Sequence, residues 1–149
     1  MKLIIQIPCF NEEQSLAATV RDLPRDIPGI DTIEYLVIDD GSTDRTIEVA
    51  KAAGVHHILC NGSNRGLGKS FMEGITYALA QGADIVVNTD GDNQYLGADI
   101  AKLVALIVRH EADLVVGCRP IRAQQEFSWF KKMMQHLGSF VLRQISKTD

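Results

Sequence analysis

The sequence predicts an α/β fold in which an open, mostly parallel sheet is covered by helices on both faces. Three observations carry this reading. Short apolar runs rich in β-branched residues alternate with amphipathic stretches at roughly thirty residues per unit, the repeat of a strand-helix crossover. The amphipathic stretches stop at Gly or Pro, and polar clusters follow directly on several of the apolar runs. In such sheets ligands bind beyond the carboxyl ends of the strands, so these clusters are expected to meet along one edge.

In chain order, Leu3 to Pro8 reads as a buried strand, and Pro8 fits its end because no further ladder donor is needed there. Asn11 reads as the N-cap of a first helix with Gln14 at the third helical position. Leu16, Val20 and Leu23 form its apolar stripe, and Pro24 stops it. Ile33 to Ile38 gives a second strand, running into Asp39-Asp40-Gly41-Ser42-Thr43-Asp44. A second helix is expected from about Asp44 to Ala53, closed by Gly54, and a third strand from Val55 to Cys60. A glycine-rich segment, Asn61 to Gly68, leads into a third helix from about Lys69 to Gln81, closed by Gly82. Ile85-Val86-Val87 is a fourth strand that gives way to Asn88-Thr89-Asp90-Gly91-Asp92-Asn93-Gln94. A fourth helix, about Asp99 to His110, and a fifth strand, Asp113 to Cys118, follow. Phe127 to Ile145 has the pattern of an amphipathic helix, fit either to pack on a core or, with its aromatic and basic residues, to lie on a membrane surface.

With 149 residues, 46% of them hydrophobic, the chain is long enough for one globular domain and too short for two full ones. Its net charge is -4 and its fifteen Lys and Arg are scattered, which argues against a nucleic-acid-binding surface. No apolar run approaches the roughly twenty residues of a membrane-spanning helix, and the N-terminus has no signal-peptide layout. The three cysteines, Cys9, Cys60 and Cys118, are far apart and lack metal-ligand spacing. They read as reduced thiols filling the core of a cytoplasmic protein. The four histidines likewise lack ligand spacing and are given no metal role.

Two familiar phosphate motifs fail around Gly62 to Ser70. A P-loop needs four residues between its first Gly and Gly-Lys-Ser, whereas Gly62 and Gly68 enclose five, and the dinucleotide fingerprint lacks its third glycine. What remains is a glycine-rich turn carrying Arg65 and Lys69 into a helix N-terminus, read as an anion-binding site or as a purely structural turn. Asp39 and Asp40 read either as caps of the second helix or, for Asp39, as a ligand to a ribose or base. Asp90 and Asp92 leave the same face if the extended conformation continues through Gly91. They can then converge on one cation, and their hard oxygens suit Mg²⁺ or Mn²⁺. The alternative is a turn dipeptide in a solvated loop.

Taken in order, Ile7-Pro8-Cys9-Phe10-Asn11-Glu12, Val37 to Asp44, Asn64 to Lys69 and Asn88 to Gln94 resemble the signatures of glycosyltransferase family two, whose members have the GT-A nucleotide-sugar fold. Within that family the chain is most similar to dolichyl- or polyprenyl-phosphate sugar transferases, because Gln94 stands two places after the acidic pair. The resemblance covers residues 3 to about 119 and divides the single 1–149 domain into a nucleotide-sugar-binding part, 1–119, and the incomplete start of an acceptor-side region, 120–149. It implies a nucleotide pocket at Pro8, Phe10, Glu12 and Asp39, with Asp90 by the ribose and diphosphate and Arg65 and Lys69 assisting. It implies a divalent cation, Mg²⁺ or Mn²⁺, at Asp92 and Gln94 beside Asp90, and catalytic roles for Asp92 and Arg119, the latter at a diphosphate or acceptor phosphate. Inverting transfer from a UDP- or GDP-linked sugar to polyprenyl phosphate, by a protein peripheral to the inner membrane face, is the expected function.

The sequence departs from the family at Cys9, where a small or hydroxylated residue is commoner, and at Tyr95-Leu96-Gly97, which replaces a proline-containing turn. Relatives continue into a further acceptor-side region, so a fragment is expected, and a non-catalytic nucleotide-sugar-binding module is the alternative. A sugar-phosphate nucleotidyltransferase is disfavoured because Pro8-Cys9-Phe10-Asn11-Glu12 occupies the place of its glycine-rich basic loop. A dinucleotide-dependent oxidoreductase is disfavoured by the missing glycines.

Overall fold

In the computed structural model, residues 1–117 are described, and they form four strands and four helices in strict alternation. The strands are β1 (Lys2–Cys9), β2 (Thr32–Asp39), β3 (His57–Cys60) and β4 (Ile85–Asn88). The helices are α1 (Leu16–Asp22), α2 (Thr46–Ala52), α3 (Leu67–Ala80) and α4 (Gly97–Val108). All strand pairs are parallel, in the order β3-β2-β1-β4. The order reverses at β1, from which the chain moves first to one side and later to the other. The polar residues after β1, β2 and β4 therefore lie side by side, at the switch point where α/β sheets take ligands.

β1 is buried from Leu3 to Cys9 because helices cover both of its faces, which is why its run is continuously apolar rather than alternating. On one face Leu3, Ile5 and Ile7 pack with Leu16, Val20, Tyr35, Val37, Ala50, Ile100 and Val104. On the other, Ile4, Leu36 and Ile38 meet Ala78 of α3. Each such side chain contributes about 1.5–3 kcal/mol by burial, so the centre of the sheet is the fixed frame of the site. Gln6 interrupts the α3 face with no exposed surface, and its Nε2 donates to Asn88 Oδ1 at 3.1 Å and to the Phe71 carbonyl at 3.4 Å.

Gly54 and Gly82 close α2 and α3 as expected, with φ of 75° and 77°. Each donates to the third carbonyl before it while the next residue reaches back five, the pattern that satisfies the last carbonyls of a helix. His110 (φ 56°) closes α4 in the same way, without the glycine that would have announced it.

Three expectations are corrected. Asn11 is not an N-cap: it adopts φ 58°, and α1 starts later, at Leu16, after a turn based on the Glu12 carbonyl. Its Oδ1 is taken instead by the Thr43 N–H at 2.8 Å. Residues 113–117 form no strand, and Leu114 and Val116 are 81% and 78% exposed. Cys60, expected in the core, is exposed at the end of edge strand β3, whereas Cys9 is buried. The chain divides into compact units at Met1–Val115 and Val116–Asp149. Cys118, Arg119, His136 and the segment from Phe127 to Ile145 lie outside the described residues.

Candidate active site

A cleft of about 410 Å³ opens at the carboxyl edge of the sheet. Pro8, Cys9, Phe10 and Glu12 line it from β1 and its loop, Asp40 from the end of β2, Asn64, Gly66, Leu67 and Ser70 from the start of α3, and Asp90, Gly91 and Asp92 from the loop after β4. Three of the four sequence motifs thus meet here through the ends of the two central strands and β4, and the fourth supplies a wall.

The β1 loop is fastened to the β2 loop by three successive backbone donors. The N–H groups of Asn11, Glu12 and Glu13 donate to Ser42 Oγ (2.9 Å), Thr46 Oγ1 (2.8 Å) and Asp44 Oδ2 (3.1 Å). Asp44 also accepts from the Thr46 N–H at 2.9 Å, so this carboxylate, rather than Asp39 or Asp40, serves the start of α2. Burial pushes the Asp44 carboxyl up, but the Thr46 and Glu13 donors outweigh it and hold it below the usual carboxylate range. These bonds fix where Phe10 and Glu12 stand.

Asp39 and Asp40 are both buried, with different partners. Asp39 Oδ2 accepts from the Ser42 N–H at 3.3 Å, while Oδ1 is buried with no hydrogen-bond partner. A buried, unmatched carboxylate oxygen is costly unless something supplies a donor. Asp39 pairs in register with Cys9 and precedes Asp40, both cleft residues. Asp40 is fully engaged: Oδ1 accepts from the Arg65 N–H (2.9 Å) and Asn61 Nδ2 (3.2 Å), and Oδ2 from the Gly66 N–H (2.8 Å). Burial raises this carboxyl, and the donors from Arg65, Asn61, Ser70 and Gly66 more than reverse that. This role is not legible in the sequence, since the donors lie some 25 residues away and no local pattern announces them.

On the opposite side the extended conformation does not persist: β4 ends at Asn88 and a turn follows, with Asn93 at φ 57°. Asp90 and Asp92 nevertheless both line the cleft. The Gly91 carbonyl accepts from Thr19 Oγ1 at 2.9 Å, and a side chain at Gly91 would press on Cys9 Sγ (3.0 Å) and Glu12 Cγ (3.3 Å). Asp92 Oδ1 accepts from the Gln94 N–H at 3.1 Å, a local turn bond. Among the described residues no group of three or more His, Cys, Asp or Glu is gathered to hold an ion. Two carboxylates beside an open cleft fit the habit of Mg²⁺ and Mn²⁺, which take one or two carboxylates and complete their shell with substrate phosphates and water.

Of the other expected residues, Gln94 is exposed and outside the lining, as is Lys69, and the Arg65 guanidinium pairs with Glu73 Oε1 at 2.8 Å. The glycine-rich turn therefore brings Asn64, Gly66, Leu67 and Ser70, not its cations, to the cleft. Burial pushes the Cys9 thiol far up, with Glu12, Asp39 and Asp44 adding to the effect, so it is a packing residue and not a nucleophile at neutral pH.

Fold and cleft together define an α/β domain built to hold a polar ligand at a topological switch point. The chain belongs to glycosyl transferase family 2, whose model matches residues 4–148. It is 30% identical to an undecaprenyl-phosphate mannosyltransferase of Micrococcus luteus over 149 residues, covering 96% of this chain and 59% of that protein. It is 31% identical to a UDP-N-acetylglucosamine–dolichyl-phosphate N-acetylglucosaminyltransferase of Methanococcus voltae, covering 81% and 53%. Glucosyl-3-phosphoglycerate synthase from Mycobacterium tuberculosis, solved with Mn²⁺, UDP and glucosyl-3-phosphoglycerate, shares the fold. Its TM-score is 0.59 at 24% identity, covering 72% of this chain and 39% of that one. The chain thus spans little more than half of the two transferases it resembles. Among the described residues no helix is long and apolar enough to cross a membrane.

Proposed function

We propose that the cleft binds a uridine-diphosphate sugar with Mg²⁺ or Mn²⁺, and that the chain is the donor-binding part of an inverting transferase acting on polyprenyl phosphate at the cytoplasmic membrane face. The observation that carries the reading is the buried, unpartnered Oδ1 of Asp39, a residue that does not itself line the cleft but lies next to Asp40 and in register with Cys9, which line it together with Asp90 and Asp92. Uracil presents one ring N–H, which one free oxygen satisfies. Guanine presents a ring N–H beside an amino group and would call on both oxygens, so that Oδ2, which already accepts the Ser42 N–H, would have to take a second donor. Phe10 and Pro8 offer apolar surface to the base, and Glu12 accepts hydroxyl donors of the ribose.

Asp90 and Asp92 would hold the cation against the diphosphate, with Gln94 beside them. Held there, a cation would supply neutralisation of charge growing on the leaving diphosphate. Arg119 is the cation proposed to assist, since Arg65 and Lys69 stand outside the cleft lining. A phosphate acceptor is already ionised when it attacks the sugar, so transfer needs no strong base from these residues. The relatives named for undecaprenyl- and dolichyl-phosphate transfer support that acceptor. A second reading, a nucleotide-sugar-binding module without turnover, fits the same cleft.

Incubation with UDP-sugars and polyprenyl phosphate, with Mn²⁺ or chelator, separates the two readings. Metal-dependent formation of glycosyl-phosphate lipid, lost in Asp92→Asn, is the expected result. UDP-sugar binding without product would favour the module, and neither binding nor product would refute both.

A further inference from the structure

Asp40 is a buried carboxylate at the end of a central strand with no part in the helix cap that the sequence offered it. Its oxygens turn across the sheet edge to the Arg65 and Gly66 N–H groups, at 2.9 and 2.8 Å, and to Asn61 Nδ2 at 3.2 Å. Asn61, 5% exposed, also donates to Ser70 Oγ at 3.1 Å, so one amide ties the carboxylate to the first turn of α3. A second, independent observation concerns Gly41. It adopts φ 78°, and a Cβ there would stand 2.6 Å from the Ser63 carbonyl carbon and 2.7 Å from the Asn64 nitrogen. The loop backbone is thus seated directly on the glycine next to Asp40. Gly62, Ser63, Asn64 and Arg65 are otherwise exposed, and a loop with so little buried surface has little packing to keep it in place.

We propose that Asp40 is a positioning residue that holds the Asn61–Gly66 loop closed as one wall of the cleft, and that affinity for the donor nucleotide depends on this clamp. The inference rests on the reading of the cleft as a nucleotide site. Asn64, Gly66, Leu67 and Ser70 reach the cleft only from the clamped loop and the helix turn it begins. With the Arg65 and Gly66 N–H groups committed to Asp40, the loop is a wall and not a cradle for the phosphates. That distinguishes it from the glycine-rich phosphate loops it resembles in composition. The Asp40 charge, met by its own donors, sits in the wall without confronting a diphosphate uncompensated.

Opening the loop lowers the population competent to bind, and the observed dissociation constant rises by the same factor. The test compares UDP affinity with amide hydrogen exchange in the wild type, Asp40→Ala and Asn61→Ala. In Asp40→Ala the dissociation constant should rise at least about tenfold, the scale of a lost charge-assisted hydrogen bond. The Arg65 and Gly66 amides in the ligand-free protein should lose nearly all protection from exchange, since a tenfold rise in the dissociation constant corresponds to a loop closed only about a tenth of the time, while the Ile4 and Leu36 amides of the sheet centre keep theirs. Asn61→Ala, which leaves Asp40 in place, should move both readouts the same way by less, and it serves if Asp40→Ala does not fold. Wild-type affinity despite faster loop exchange, or weaker binding with the loop still protected, would overturn the proposal. A wild-type protein that binds no UDP would overturn the nucleotide reading and the affinity claim with it, while the exchange arm alone would still decide whether Asp40 holds the loop.

Discussion

Two glycine-to-alanine changes in α3 should act in opposite directions. At Gly74 a Cβ would overlap Gln6 Oε1 and lie 2.8 Å from Ile38 Cδ1, so the helix rests on the sheet through the missing side chain. Alanine there gains about 1 kcal/mol of helix propensity. Against this stands overpacking of about 2 kcal/mol. Gln6 cannot swing away without giving up its bonds to Asn88 and Phe71, a further loss of about 1 kcal/mol. The net expectation for Gly74→Ala is a loss of about 2 kcal/mol, or a fall of about 1 M in the urea midpoint with the slope unchanged. At Gly68, in the first turn of the same helix, a Cβ meets nothing within 4 Å. Gly68→Ala should therefore raise stability by about 0.5 kcal/mol. Urea titrations followed by circular dichroism measure both. A Gly74→Ala protein as stable as the wild type would refute the direct seating of α3 on Gln6 and Ile38, and with it the placement of the wall that α3 begins.

Two further perturbations test the frame around the cleft. Tyr35 is buried and its hydroxyl donates to the Pro24 carbonyl at 3.0 Å, so Tyr35→Phe should cost about 1 kcal/mol, and an unchanged urea midpoint would contradict that bond. Asp40, Asp44 and Glu34 all have folded-state carboxyls held below their ordinary values of about 3.9 to 4.3. The unfolded chain therefore binds more protons just below that range, so their stabilisation is complete above about pH 5 and is lost as pH falls through the lowered values. Urea midpoints should hold steady from pH 7 to about pH 5 and drop below about pH 4, and a midpoint that rises on acidification would contradict the assignment.

Most of the sheet was legible because strands covered on both faces are spelled as continuous apolar runs, and the ends of α2 and α3 because Gly54 and Gly82 occupy positive φ. His110 takes the same conformation at the end of α4, which composition does not announce. Asn11 was misread for a physical reason. The short amide that suits an N-cap also suits the left-handed conformation, and only the distant Thr43 N–H decides between them. The stretch 113–117 has strand composition, yet a strand also needs a neighbouring backbone, and β4 pairs only with β1 among the described residues. In the site, Asp39, Asp90 and Asp92 stood out as carboxylates at strand ends. Asp40 was indistinguishable from its neighbour until the loop that it holds was in view. Arg65 and Lys69 are legible only as residues of an anion-binding or purely structural turn, and neither lines the cleft, because Arg65 turns to Glu73 and Lys69 is exposed on α3.

The proposed function makes the cleft a metal-dependent uridine-nucleotide site. Calorimetric titration of UDP and GDP with Mn²⁺, repeated with chelator, tests it most directly. Saturable binding of UDP in preference to GDP, abolished by chelator and by Asp39→Ala, is the expected result. Equal binding of both nucleotides, or UDP binding indifferent to chelator and to the loss of the Asp39 carboxylate, would contradict it.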